Sequence, residues 1–356
     1  MDQLQPSIEE IGCWAEQAFA KKNMTKIFIN TAIVLAMSAL TQQALACASC
    51  GCSLNSDWGT QGVSNQEGFS LDVRYDSLNQ NQLWSGTGKT NAQSAVGTQN
   101  PATGKFAEVE DFTKSQTITP VLDYNNGKDW GVSLSLPYVN RNHSTSGTSA
   151  DGVSIGSNGD AYASQASGIG DVRVVGRYFG FSEQQNVGIQ FGLKLPTGKT
   201  NQLASDGATQ VDPGLQLGTG STDLILGAYF HDNINQNWGY FSQVMYQTAI
   251  KNGMAFGLSY RPGNSVNING GLRYEGFDVI KPTLQINTRF VQKDSGDAAD
   301  TFSTGGTLVY VTPGFIVPID ETLSVYSNLQ IPMYQNVNGI QLTPRYIFSL
   351  GAHLNF

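Results

Sequence analysis

Three cysteines fall within six residues, Cys47-Ala-Ser-Cys50-Gly-Cys52, and no cysteine follows them in the 356-residue chain. Clustered thiolates are soft ligands that suit Cu(I), Zn or cluster iron. A haem attachment site needs a histidine directly after the second cysteine of a C-x-x-C pair, and Gly51 stands there instead. A closed zinc site needs a fourth ligand, which the segment lacks. Two readings stay open. Either Cys47, Cys50 and Cys52 hold a metal, Cu(I) or Zn, or two of them close a short disulfide in an oxidising compartment and leave a spare thiol. Acylation of Cys47 is a weaker third reading, because Ala44 and Leu45 make a poor lipobox.

Little else in the chain points to reaction chemistry. His143, His231 and His353 are the only histidines, dispersed along the sequence, and read as ordinary polar lining. No G-x-S-x-G occurs, and Gly218-Thr-Gly-Ser221 lacks the Lys-Ser/Thr that would make it a phosphate loop. The chain therefore reads as a non-enzyme. Its net charge is −8 with no basic stripe, which argues against nucleic acid as a partner.

The elements that would position these residues are strands. In the last sixteen residues, Leu342, Pro344, Tyr346, Phe348, Leu350, Ala352, Leu354 and Phe356 alternate with Gln341, Thr343, Arg345, Ile347, Ser349, Gly351, His353 and Asn355. Successive strand side chains point to opposite faces, so one face is oily and the other mostly polar. The oily face carries the aromatics and the chain stops on Phe356, like the closing strand and assembly signal of a bacterial outer-membrane β-barrel. The same alternation recurs from Phe69 to Tyr75, Trp130 to Tyr138, Val187 to Leu195, Val266 to Tyr274 and Leu284 to Phe290. Charged residues make up only 13% of the chain, about half the ~25% of soluble proteins. Few charges, 40 glycines and many aromatics fit a lipid-facing skin around a wet interior.

Short interruptions alternate with long ones (residues 80–106, 142–167 and 197–220) as far as Trp238, as periplasmic turns alternate with external loops in such barrels. Thirteen strand-like segments can be counted, including one at 252–261, but single-chain bacterial barrels are even. The expectation is an all-β, transmembrane, antiparallel up-and-down barrel of about twelve strands, with fourteen next, and one miscounted segment between 249 and 293. Asp72, Arg74, Asp171, Arg173, Lys194, Asp223, Arg273, Glu275, Arg289 and Arg345, with Asp123, take the inward phase. An Arg or Lys facing lipid at mid-bilayer costs ~2–4 kcal/mol, so these residues are expected to line the lumen, either pairing to plug it or setting selectivity.

Residues 1–23 fit nothing downstream and read as a misannotated extension. From Met24 an export pattern begins, with Lys26, an apolar run to Leu40, and Ala44-Leu45-Ala46 as the cleavage site, which gives a signal peptide at 24–46. Residues 47–66 then form a Cys-rich periplasmic segment, and 67–356 the barrel.

Gly168-Ile-Gly-Asp-Val-Arg173, Leu193-Lys-Leu-Pro-Thr-Gly198, Asp212-Pro-Gly-Leu-Gln-Leu-Gly-Thr-Gly-Ser-Thr-Asp223 and Leu329-Gln-Ile-Pro-Met-Tyr-Gln-Asn-Val-Asn-Gly339 resemble outer-membrane transporters of the type grouped under the MetA pathway of phenol degradation. The likeness covers the barrel, and its motifs are structural. It implies passage of small molecules, aromatic or hydrophobic ones included. The expected partners are outer-membrane lipid, the barrel assembly machinery and a small-molecule solute. The alternatives are a metal-binding or docking module, in which the Cys47 segment meets a periplasmic partner such as an electron carrier, and a plugged structural barrel.

Overall fold

The computed structural model describes residues 54, 57–63, 66–97, 109–146 and 161–356. Each alternating run is a strand. β1 (Gly68–Gly86) ends in a two-residue extension, β2 (Gly88–Lys89), and a single helical turn, α1 (Ala92–Ala95), and β3 (Glu110–Asn125) returns beside it. The next crossing is built from β4 (Trp130–Ser135) and β5 (Tyr138–Thr145), and the one after from β6 (Tyr162–Ile169) and β7 (Val172–Tyr178). Proline cannot donate to a ladder, and the first break falls at Leu136-Pro137. Gly170 N–H donates to the Pro137 carbonyl at 2.8 Å. The Thr197 hydroxyl then patches the second break, donating to Gly170 O at 2.7 Å and accepting from Val172 N at 2.9 Å.

β8 (Val187–Leu195), β9 (Thr222–Asn235) and β10 (Trp238–Lys251) follow as single strands. The segment expected at 252–261 is not a crossing. It is a small hairpin, β11 (Gly253–Ala255) with β12 (Leu258–Tyr260), standing off the outer end of β10. That corrects the odd count: three residues a side span roughly 10 Å, far short of the ~9–11 residues a bilayer needs. β13 (Ser265–Tyr274), β14 (Lys281–Val291) and β15 (Gly306–Pro318) lead to β16 (Leu323–Asn355).

β16 doubles back at Asn338-Gly339, where Gly339 adopts φ +51°. Its first leg pairs with β15 from Ser324 to Val337, and its second pairs with β1 from Val337 to Asn355. Because β1 also pairs with β3, the antiparallel ladder closes on itself, and the wall has twelve crossings.

The outer surface is apolar. Leu134, Ile189, Phe191, Val244, Leu284, Ile286 and Leu350 are each more than a third exposed, a contiguous skin far larger than a soluble monomer tolerates. At the short-turn end, ring contacts link Phe69–Tyr124, Tyr124–Trp130, Tyr178–Phe181 and Trp238–Tyr274 at 4.9–5.5 Å, an aromatic girdle of the kind that sits at a membrane interface. Inward positions are buried and polar, and two inward tyrosines lie flat on glycines. A Cβ on Gly351 would sit 2.4 Å from the Tyr326 ring, and one on Gly188 2.4 Å from the Tyr229 ring, so neither position admits a side chain.

The phase expected for the last strand holds from Tyr346 to Phe356, with Ser349 and His353 buried inside and Leu350 and Leu354 outside. Upstream the alternation breaks down, and Gln341, Leu342, Thr343 and Pro344 are all buried. The β1–β16 register slips between Asn79–Tyr346 and Gln80–Pro344, leaving Arg345 bulged. A bulge shifts the alternation by one residue. Leu342, expected outside, is buried, and Arg345, expected in the lumen, is exposed beside a cleft with Gln82, Lys89 and Glu110.

Candidate functional site

A cavity of about 510 Å³ occupies the lumen. Its floor is built by residues 57–63, which precede β1 and wind into a tight turn. Gln61 N–H donates to Asp57 O at 3.2 Å, and Thr60 N–H to the Asp57 carboxylate at 3.2 Å. The wall grips this turn from several sides. Arg177 bonds Asp57 at 2.9 Å through one nitrogen and Asp123 at 2.6 Å through another. Arg273 donates to the carbonyls of Gln61 at 3.1 Å and Gly62 at 3.2 Å. Trp58 stacks on His353 at 4.2 Å with planes 7° apart and meets Tyr326 edge-on at 5.7 Å. The His231 ring lies against Gly62, leaving no room for a Cβ.

The roof is the long loop 196–221, which folds inward. Leu217 packs on Val139 and Ala166 of the wall. Arg141 donates to Gly214 O at 3.3 Å and Gln216 O at 3.0 Å. At the loop's root Lys194 bonds Asp171 at 2.8 Å, Asp223 at 3.3 Å and the Thr219 hydroxyl. Backbones touch there, because a Cβ on Gly198 would fall 2.6 Å from Gly218 Cα.

Between floor and roof, buried amides form a chain around the wall. Thr312 donates to Asn287 at 2.6 Å, Asn287 to Asn269 at 2.9 Å, Asn269 to Gln243 at 3.3 Å and Gln243 to Gln190 at 2.7 Å. Gln190 reaches Asp57 of the floor at 3.4 Å. Five strands are thus linked side chain to side chain, each amide supplying both donor and acceptor.

Of the charged residues read as inward, Asp72, Arg74, Asp123, Asp171, Arg173, Lys194, Asp223 and Arg289 border the cavity. Arg273 lies beneath the floor turn, and Glu275 bonds Arg273 and, at 2.7 Å, Lys281 at the rim. At Glu275 burial pushes the carboxyl up, but Lys281 and Arg273 outweigh it and hold the group below its usual range. The three histidines are apart: His143 bonds Thr113 at 2.8 Å in the outer half of β5, while His231 and His353 contact the floor turn. Cys47, Cys50 and Cys52 lie outside the described residues, as does most of the segment assigned to 47–66; its residues 57–63 lie inside the barrel. Sequence reasoning missed this floor because the turn has no period. Its one signal was Trp58 standing in a polar, non-strand stretch.

No family model matches the sequence, and no curated protein does. Among solved structures, an outer membrane channel from Pseudomonas putida F1 matches with a TM-score of 0.60 at 13% identity, covering 85% of this chain and 99% of that one. The Pseudomonas putida toluene transporter TodX matches with a TM-score of 0.43 at 10% identity, over 88% of this chain and 96% of that one. The first likeness shows the fold to be that of an outer-membrane barrel.

Proposed function

We propose that the chain is an outer-membrane channel for small molecules, exported by the signal peptide at 24–46. The observation that carries this reading is the closed twelve-crossing wall, oily outside, around a polar cavity of about 510 Å³. A purely structural barrel needs no such chamber. The floor turn makes it a channel whose conductance depends on the seating of residues 57–63. The strand-end motifs at Leu193-Lys-Leu-Pro-Thr-Gly198 and Gly168-Ile-Gly-Asp-Val-Arg173 support a relation to the MetA-pathway type. The cysteine segment, five residues upstream of Asp57, would then lie at the periplasmic mouth, available to a metal or a partner. Purified protein reconstituted in planar bilayers tests the reading: discrete conductance steps are expected, and folded barrel that gives none, with no solute uptake in liposomes, overturns it.

A further inference from the structure

We infer that the lumen contains a binding site for a small carboxylate anion between Arg173 and Arg289, which names the solute class of the channel proposed above and rests on that reading only for its transport consequence. Five of the acids bordering the cavity are held by cations, while Asp72 and Asp294 meet neutral donors, Tyr326 on Asp72 and Tyr260 on Asp294. Lys194 holds Asp171 and Asp223, Arg177 holds Asp57 and Asp123, and Arg74 holds Asp76. Two cations are not matched in this way. Among the described residues, Arg173 makes no hydrogen bond or ion pair with any acceptor. Arg289 has one bond, from Nη1 to the neutral Asn267 amide oxygen at 2.9 Å, and its Nε–H is buried with no acceptor.

Position makes these two a site. Arg173 projects from β7 and Arg289 from β14, five crossings apart in a wall of twelve, so they face each other across the lumen and not along one strand. Both border the same cavity, where Asp171, Asp223, Lys194, Arg74, Asp72 and Asp76 are also lining charges. Lys194 holds Asp171 and Asp223, and Arg74 is matched by Asp76. Arg173 and Arg289 are thus left without a carboxylate of their own, and an anion that enters between them supplies one. A guanidinium presents a planar fork of donors that matches a carboxylate's two oxygens with two parallel bonds, whereas a chloride ion must meet both tines with one atom. A buried donor left unmade is costly, so an anion that satisfies Arg289 Nε gains more than its charge alone.

The experiment titrates sodium benzoate into the detergent-solubilised full chain by calorimetry and, in parallel, measures chloride conductance of the reconstituted protein as benzoate is added. Benzyl alcohol, of similar shape without the carboxylate, is the control ligand. Saturable benzoate binding is expected, at least about tenfold tighter than benzyl alcohol and weakened about tenfold or more in Arg173→Gln and in Arg289→Gln. Benzoate should also block chloride current in the wild type and lose that block in the variants. Arg345→Gln, outside the lumen, should bind as the wild type does. Heat modifiability shows that each variant is folded. Benzoate binding equal to that of benzyl alcohol, or unchanged in folded Arg173→Gln and Arg289→Gln, overturns the site while leaving the channel intact. Arginine-dependent binding by a protein that conducts nothing upholds the site and overturns the channel reading instead.

Discussion

Replacing Trp58 by alanine should unseat the floor of the lumen. The indole is 9% exposed, stacked on His353 at 4.2 Å and edge-on to Tyr326, and it packs with Ile316 from β15. Truncating a buried tryptophan to alanine costs ~3–5 kcal/mol, of which the ring–ring term is about 0.5–1.5 kcal/mol. The turn keeps its Asp57–Arg177 pair and the two bonds from Arg273, so the barrel itself should stand. If about 3 kcal/mol is lost from seating alone, the ratio of unseated to seated turn rises by on the order of a hundredfold. Single-channel recording reads this as a rise in open probability or in mean conductance of folded Trp58→Ala protein. Conductance identical to wild type, in a variant shown by heat modifiability to be folded, would mean that residues 57–63 do not stop the lumen.

Four other outcomes are expected. Leu350→Arg puts a cation on the lipid face and should lower stability by ~2–4 kcal/mol if near the midplane, measured by urea unfolding in liposomes, whereas Arg345→Ala should change it little. Phe356→Asp should reduce the yield of folded barrel, because Phe356 closes the seam, exchanging backbone bonds with Phe69 at 2.9 and 3.2 Å; wild-type yield of heat-modifiable protein would refute that role. Glu275 is held below the usual carboxylate range, so its contribution is present above the unfolded pKa of about 4.3 and lost as pH falls through the lower folded value. Glu275→Gln should accordingly flatten the acid limb of the stability profile below about pH 4. Finally, mature protein purified anaerobically should carry copper or zinc that a triple Cys47→Ser, Cys50→Ser, Cys52→Ser variant lacks, and equal metal content in the two would leave a disulfide or lipid anchor.

The wall was legible because each strand of a barrel repeats one constraint, oil outside and water inside, and that constraint has a period of two. The alternation of Val187 to Leu195 states it directly. Two things escaped. A bulge leaves no trace in composition, so the alternation ran smoothly through Arg345 while the backbone had shifted by one residue. The floor and roof are held by tertiary partners, such as Arg273 on Gln61 and Arg141 on Gln216, that lie 212 and 75 residues away in sequence. Inward charge was visible from strand phase, but which arginines would be matched depended on neighbours around the ring, as Lys194 beside Asp171 and Asp223 illustrates.

The seam between β1 and the second leg of β16 carries a consequence for biogenesis. Its partners, such as Ser70 and Asn355, stand at opposite ends of the barrel sequence, so the ladder cannot close until the last residues have been delivered. Contacts of such separation form late and slowly. Trp58, emerging just before β1, rests on His353 of that closing strand. The seat of the floor turn is therefore incomplete until the two edges meet, because its stacking partner arrives with the closing strand. Closing the wall and completing the seat of the floor are thus one step, and a barrel whose seam stays open lacks the surface that holds the turn.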